Sequence, residues 1–141
     1  MLVLIDESGD PGFKIVRGSS AHFVVSMVIF SDFDCAERCS AAINKVRKDV
    51  AISGEFKFNK CTDRVRDAFF VAIKDYDFRI RALVVDKETI YSDNLRRHTD
   101  LFYNFFIQKL LSQDGAVLKN AFVKIDGSGS REFRREVAPV V

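Results

Sequence analysis

The chain opens on an unbroken apolar run, Leu2-Val3-Leu4-Ile5, that ends at once in Asp6. A run this short and this β-prone predicts a strand buried on both faces. The next stretch, Glu7-Ser8-Gly9-Asp10-Pro11-Gly12, is dense in turn formers and predicts a loop. Beyond Gly18-Ser19-Ser20, residues Phe23 to Phe30 predict a second strand, so the two could form a hairpin with a long, shaped connection. Ser31-Asp32-Phe33-Asp34 supplies N-cap candidates for a helix running to about Val50, in which Ala42, Ile43 and Val46 keep helical spacing. Gly54 breaks the chain before Glu55-Phe56-Lys57-Phe58. Thr62 can then cap a second helix, with Val65, Phe69, Ala72 and Ile73 along one face.

In the second half, Phe78, Ile80, Ala82 and Val84 alternate with Arg79 and Arg81, which predicts a third strand from Phe78 to Val85 with Asp86 at its end. A long helix is predicted from roughly Asp93 to Gln113, and its Phe102, Phe105, Phe106 and Leu110 stripe reads as a core face. Ala121 to Ile125 predicts a fourth strand ending in Asp126, and Arg131 to Val137 begins another helix. The order mixes a hairpin with crossover helices. It points to the α/β class, a mixed sheet flanked by helices, rather than a sandwich or a bundle.

Composition narrows the picture. The 141 residues suffice for one domain, and 48% hydrophobic with 30% charged residues is the balance of a globular protein. Net charge is only +2, from 22 basic and 20 acidic side chains, so polyanion binding by bulk attraction is not supported. Local clusters would have to supply it: Lys45-Arg47-Lys48 and Arg131-Arg134-Arg135 are two, although a solvated helix face is the better reading of both. Of three Cys, Cys35 and Cys39 share a helix face and Cys61 stands alone. Neither a CxxC pair nor a matching His pair is present, which argues against zinc and for reduced thiols in a cytoplasmic protein. The start has no basic leader, and no apolar run approaches the roughly 20 residues that cross a bilayer, so no membrane association is expected.

The chemistry lies in the carboxylates. Open α/β sheets gather ligands outside the C-terminal ends of their strands. Asp6, Asp86 and Asp126 each close a predicted strand, and Glu7 and Asp10 follow in the first loop. If two of these strands are neighbours, their carboxylates converge and repel, and a hard divalent cation would offset that repulsion. Magnesium or manganese held there could activate water against a phosphodiester. The alternative is that an Asp after a strand only forms a turn. Glu7 points away from Asp6 if the strand persists. Glu55 and Lys57, two apart on an extended segment, project to one side; they could form a metal ligand with its accompanying cation or a surface ion pair. His22 and His98 lie in no catalytic arrangement, and no GxxxxGK[ST] run follows Asp6.

The segment Leu4-Ile5-Asp6-Glu7-Ser8-Gly9-Asp10-Pro11-Gly12-Phe13 resembles the opening of the domain-of-unknown-function 3800 family, with its Asp-Glu-Ser-Gly signature. The resemblance continues through Glu55-Phe56-Lys57, Val84-Val85-Asp86-Lys87 and Val123-Lys124-Ile125-Asp126. It implies a ribonuclease H-like fold and a metal-dependent nuclease. On this resemblance Asp6 is the central metal ligand and Asp126 a second. Glu7 and Glu55 are supporting acids, Lys57 is the accompanying cation, and Asp86 is a recurrent strand end that could also reach the metal. The family continues into a helix with a further acid in a Gln-Leu-Ala-Asp-like segment, whereas the sequence here ends at Pro139-Val140-Val141. The expectation is therefore a single ribonuclease H-like domain over residues 1–141, truncated at its C-terminus relative to that family. The function expected is either Mg2+- or Mn2+-dependent hydrolysis of RNA or DNA, or that of a catalytically inactive module that binds nucleic acid or protein, with a homodimer as one form it could take.

Overall fold

The computed structural model describes residues 1–113 and 118–126. Eight principal elements follow one another: β1 (Leu2–Ser8), β2 (His22–Phe30), α1 (Phe33–Asp49), α2 (Asp63–Ile73), β3 (Phe78–Asp86), α3 (Asp93–Arg97), α4 (Thr99–Ser112) and β4 (Phe122–Ile125). The strands form one sheet in the order β3-β2-β1-β4, and β1 runs parallel to β4. The chain divides into two compact units, residues 30–78 and the remainder.

In the sheet-bearing unit the core follows from strand alternation. Val3 and Ile5 of β1 and Phe23, Val25, Met27 and Ile29 of β2 all turn to one face and are buried. They share a hydrophobic core with Phe102, Tyr103, Phe106, Ile107 and Leu110 of α4. Aromatic edges lock that contact: the Phe23 and Phe102 centroids lie 5.2 Å apart, and those of Phe102 and Phe106 4.8 Å apart, both edge-to-face. The stripe expected on this helix is therefore its core face. Phe105 is the departure, since it is exposed while Tyr103 and Ile107 take core positions.

Two element boundaries differ from the sequence reading. The helix expected over 93–113 is two helices. His98 has extended backbone (φ −120°, ψ 97°), so its N–H closes α3 on Asn94 while its carbonyl opens α4 by accepting the Phe102 N–H at 3.0 Å. Strand β1 runs two residues past the expected stop, through Ser8, which puts Glu7 in the strand rather than in the loop. The helix expected from Arg131 lies outside the described residues.

The other unit is built on the α1–α2 pair. Asp32 caps α1 by accepting the Cys35 N–H at 2.6 Å, as the cap-forming run predicts. Thr62 stands at the N-cap of α2 without a side-chain cap bond. Cys35 and Cys39 are buried free thiols, and burial pushes the Cys39 thiol above its ordinary range. Among the described residues no helix is long and apolar enough to cross a membrane.

Candidate functional site

Strand pairing fixes the first two carboxylates. Ile5 stands opposite Ile125 in the parallel ladder, and the Asp126 N–H donates to the Ile5 carbonyl at 2.9 Å. The next pair along the two strands is Asp6 and Asp126. Side chains alternate along each strand, so both leave the face opposite the buried Val3, Ile5 and α4. Both are exposed. Adjacent strands lie about 4.8 Å apart. Two unit charges at that spacing repel by roughly 1 kcal/mol in water and several times that at the effective dielectric of a protein surface.

Glu7 belongs to the opposite face. Its Oε2 accepts the Tyr103 hydroxyl of α4 at 2.9 Å, and its backbone N–H donates to Asp6 Oδ1 at 2.9 Å. Burial raises the Glu7 carboxyl above its ordinary value. The Tyr103 hydrogen bond opposes that shift, and the negative charges of Asp6 and Asp126 add to it. Glu7 therefore senses the pair through the sheet without joining it on the same face.

The loop that follows is held from inside. Gly9 adopts φ +89°, and a Cβ there would stand 2.5 Å from the His22 carbonyl oxygen. The Asp10 carboxylate accepts the Gly12 N–H at 2.8 Å and the Ser20 N–H at 2.7 Å, drawing the two ends of the loop together. Lys87, just past β3, is buried. Its Nζ donates to the carbonyls of Asp10 at 2.9 Å and Gly12 at 2.6 Å and lies 3.9 Å from the Asp10 carboxylate. Together these contacts hold the Asp10 carboxyl below its ordinary value, the Ser20 amide contributing most. Asp10 is thus a loop organiser.

The remaining candidates lie on other elements. Asp86 ends β3, and β2 separates β3 from β1, so at least two strand spacings, about 10 Å, lie between its backbone and that of Asp6. Its carboxylate accepts the Glu88 N–H at 3.0 Å and caps the short 3-10 turn Lys87–Thr89. Glu55 and Lys57 lie in the other unit and face each other across 3.8 Å, with side chains 68% and 57% exposed. The two make an exposed ion pair.

Sequence reasoning missed Lys87 and Tyr103 as partners of the first strand and its loop. A Lys one residue beyond the apolar Leu83-Val84-Val85 run, after Asp86, was the available signal for the first. For Tyr103, 96 residues from Glu7, only strand parity hinted that Glu7 faces a helix.

The all-oxygen donor set of Asp6 and Asp126 fits a hard divalent cation, which takes carboxylate ligands and completes its shell with water or phosphate. Among the described residues, no three His, Cys, Asp or Glu side chains gather into a metal-binding group.

No family model matches the chain, and no curated protein matches it. Among solved structures, it is similar to a chain in the structure of the PCNA:RNase HII complex from Archaeoglobus fulgidus, at 20% identity and a TM-score of 0.52. The match covers 97% of this chain and 56% of the other, so this chain spans little more than half of that length. The mixed sheet with its parallel β1–β4 pair and covering helices is thus a ribonuclease H-like α/β fold.

Proposed function

We propose that the chain is a metal-dependent nuclease that hydrolyses phosphodiester bonds of RNA or DNA. Asp6 and Asp126 would hold Mg2+ or Mn2+. The observation that carries this reading is the register of β1 and β4, which sets two exposed carboxylates side by side at the C-terminal edge of the sheet. The similarity to a chain of an RNase HII complex supports it, as does the resemblance of the Leu4–Phe13 segment to the opening of the domain-of-unknown-function 3800 family. A bound divalent ion would supply charge neutralisation and an activated water. Asp6 and Asp126 orient that charge at the sheet edge. Glu7, whose carboxyl is raised above its ordinary value by burial and by the two Asp charges, would be a supporting acid held on the other face of β1 by Tyr103. Glu55, with Lys57 as its accompanying cation, would be a further supporting acid; the two lie in the other unit as an exposed ion pair.

The test is cleavage of labelled RNA and DNA oligonucleotides with Mn2+, by the parent and by Asp6→Asn and Asp126→Asn. The proposal expects metal-dependent cleavage that both substitutions abolish. Cleavage that survives Asp6→Asn refutes it. A second reading, a binding module without hydrolysis, is favoured by the lack of a three-residue metal group among the described residues. It expects salt-sensitive nucleic-acid binding with no cleavage by any of the three proteins.

A further inference from the structure

At the same C-terminal edge of the sheet, a cleft of about 620 Å³ opens between the loop after β1 and the segment after β3. Phe13, Lys14 and Arg17 line it from the loop, and Lys87, Glu88 and Arg96 from the other side. Phe13 anchors it: its ring stands edge-on to Phe102 at 5.3 Å, which seats the cleft on the α4 side of the sheet. The Arg96 guanidinium lies 5.6 Å from the Phe13 centroid. The break at His98 separates the short helix that carries Arg96 from α4. The 3-10 turn Ile15–Arg17 ends in Gly18 at φ 105° and holds Lys14 and Arg17 at the exposed rim.

The charges decide what fits. Glu88 is the one acidic side chain among the described lining residues, set against Lys14, Arg17, Arg96 and Lys87. Lys87 is committed to the Asp10 and Gly12 carbonyls, so it contributes field but no free donor. The exposed Lys14 and Arg17 of the loop turn and Arg96 of α3 remain as three cations on two segments around an open cleft. A small phosphate needs converging, buried donors. Spaced, exposed cations suit successive phosphates along a strand.

We propose that this cleft, on the α4 side of the sheet, binds the phosphate backbone of a nucleic-acid strand through Lys14, Arg17 and Arg96. The inference extends the proposed nuclease reading but is tested without catalysis.

The experiment measures binding of a fluorescein-labelled single-stranded oligonucleotide in EDTA from 50 to 300 mM NaCl. The full chain is compared with a triple variant Lys14→Gln, Arg17→Gln, Arg96→Gln, and with Arg17→Glu alone. Loss of three phosphate contacts should reduce the slope of log K against log salt by about 2, since each contact on a single strand contributes roughly 0.7. Arg17→Glu reverses charge at an exposed turn with no side-chain bond to lose, and should weaken binding without shifting the melting midpoint. Unchanged affinity and slope in a folded triple variant overturn the inference. So does binding of AMP as tight as that of the oligonucleotide and equally dependent on the three cations, which would make the cleft a mononucleotide site. Absent Mn2+-dependent cleavage with intact cation-dependent binding refutes the nuclease reading alone. Cleavage by a triple variant whose binding is unchanged refutes the cleft alone.

Discussion

Replacing Lys87 with Met tests whether the loop after β1 is held by one buried ammonium. Methionine keeps the stem volume and removes the charge. The native Nζ makes two charge-assisted bonds, to the carbonyls of Asp10 and Gly12, and sits 3.9 Å from the Asp10 carboxylate. Bonds of that kind contribute about 1.5–3 kcal/mol each, and breaking a buried pair from one side costs roughly 3–5 kcal/mol. The acceptors are only part-buried, so water can replace some of what is lost, and the buried ammonium no longer has to be desolvated. The lower end of the range, about 3 kcal/mol, is therefore expected. With roughly 2–4 °C lost per kcal/mol in a chain of this size, the melting midpoint should fall by about 6–12 °C. Equilibrium urea unfolding followed by circular dichroism reads the same change as a midpoint lowered by roughly 1–2 M at unchanged slope. The double variant Lys87→Met, Asp10→Asn should lose less than the sum of the single changes, because the two side chains share one network. A Lys87→Met protein within 1 kcal/mol of the parent, with additive effects in the double variant, would refute the reasoning.

Three further outcomes follow from the same edge of the sheet. Gly9→Ala should cost more than about 2 kcal/mol in urea unfolding, because φ +89° strains any L side chain and the new Cβ meets the His22 carbonyl at 2.5 Å. The Asp10 carboxyl is held below its ordinary value of 3.8, so its contribution is complete above that pH and is lost as pH falls through the lowered folded value. Asp10→Asn should accordingly lie below the parent in stability at pH 6 and converge with it in strong acid. Glu7 has the opposite sign: its folded value is raised above 4.5, so its burial costs stability as pH rises through that window. Glu7→Gln, which can still accept the Tyr103 hydroxyl, should gain on the parent between pH 4 and 7 in melts across that range.

How much of this was legible depended on whether a feature was local. The apolar run into Asp6 and the one into Asp126 each marked a strand end, and the topology made those two strands neighbours. Parity along β1 correctly sent Glu7 to the other face, where Tyr103 meets it. Asp86 carries the same strand-end pattern, yet the strand order sets β2 between it and Asp6, and no local pattern reveals strand order. Lys87 was hidden because a lysine next to a charged turn ordinarily reaches water, and its burial depends on carbonyls 75 and 77 residues away. The break at His98 carries no Pro or Gly, and the core stripe of α4 gives no sign of it.

The most direct test of the central claim is a thermal melt with and without Mn2+, on the parent and on Asp6→Asn and Asp126→Asn. A cation held by Asp6 and Asp126 binds the folded chain alone, and at a hundred times its dissociation constant it should add about 2.7 kcal/mol. The account predicts a rise of several degrees in the parent that disappears in both variants. No rise in the parent at millimolar Mn2+, or an equal rise in Asp6→Asn, would contradict it.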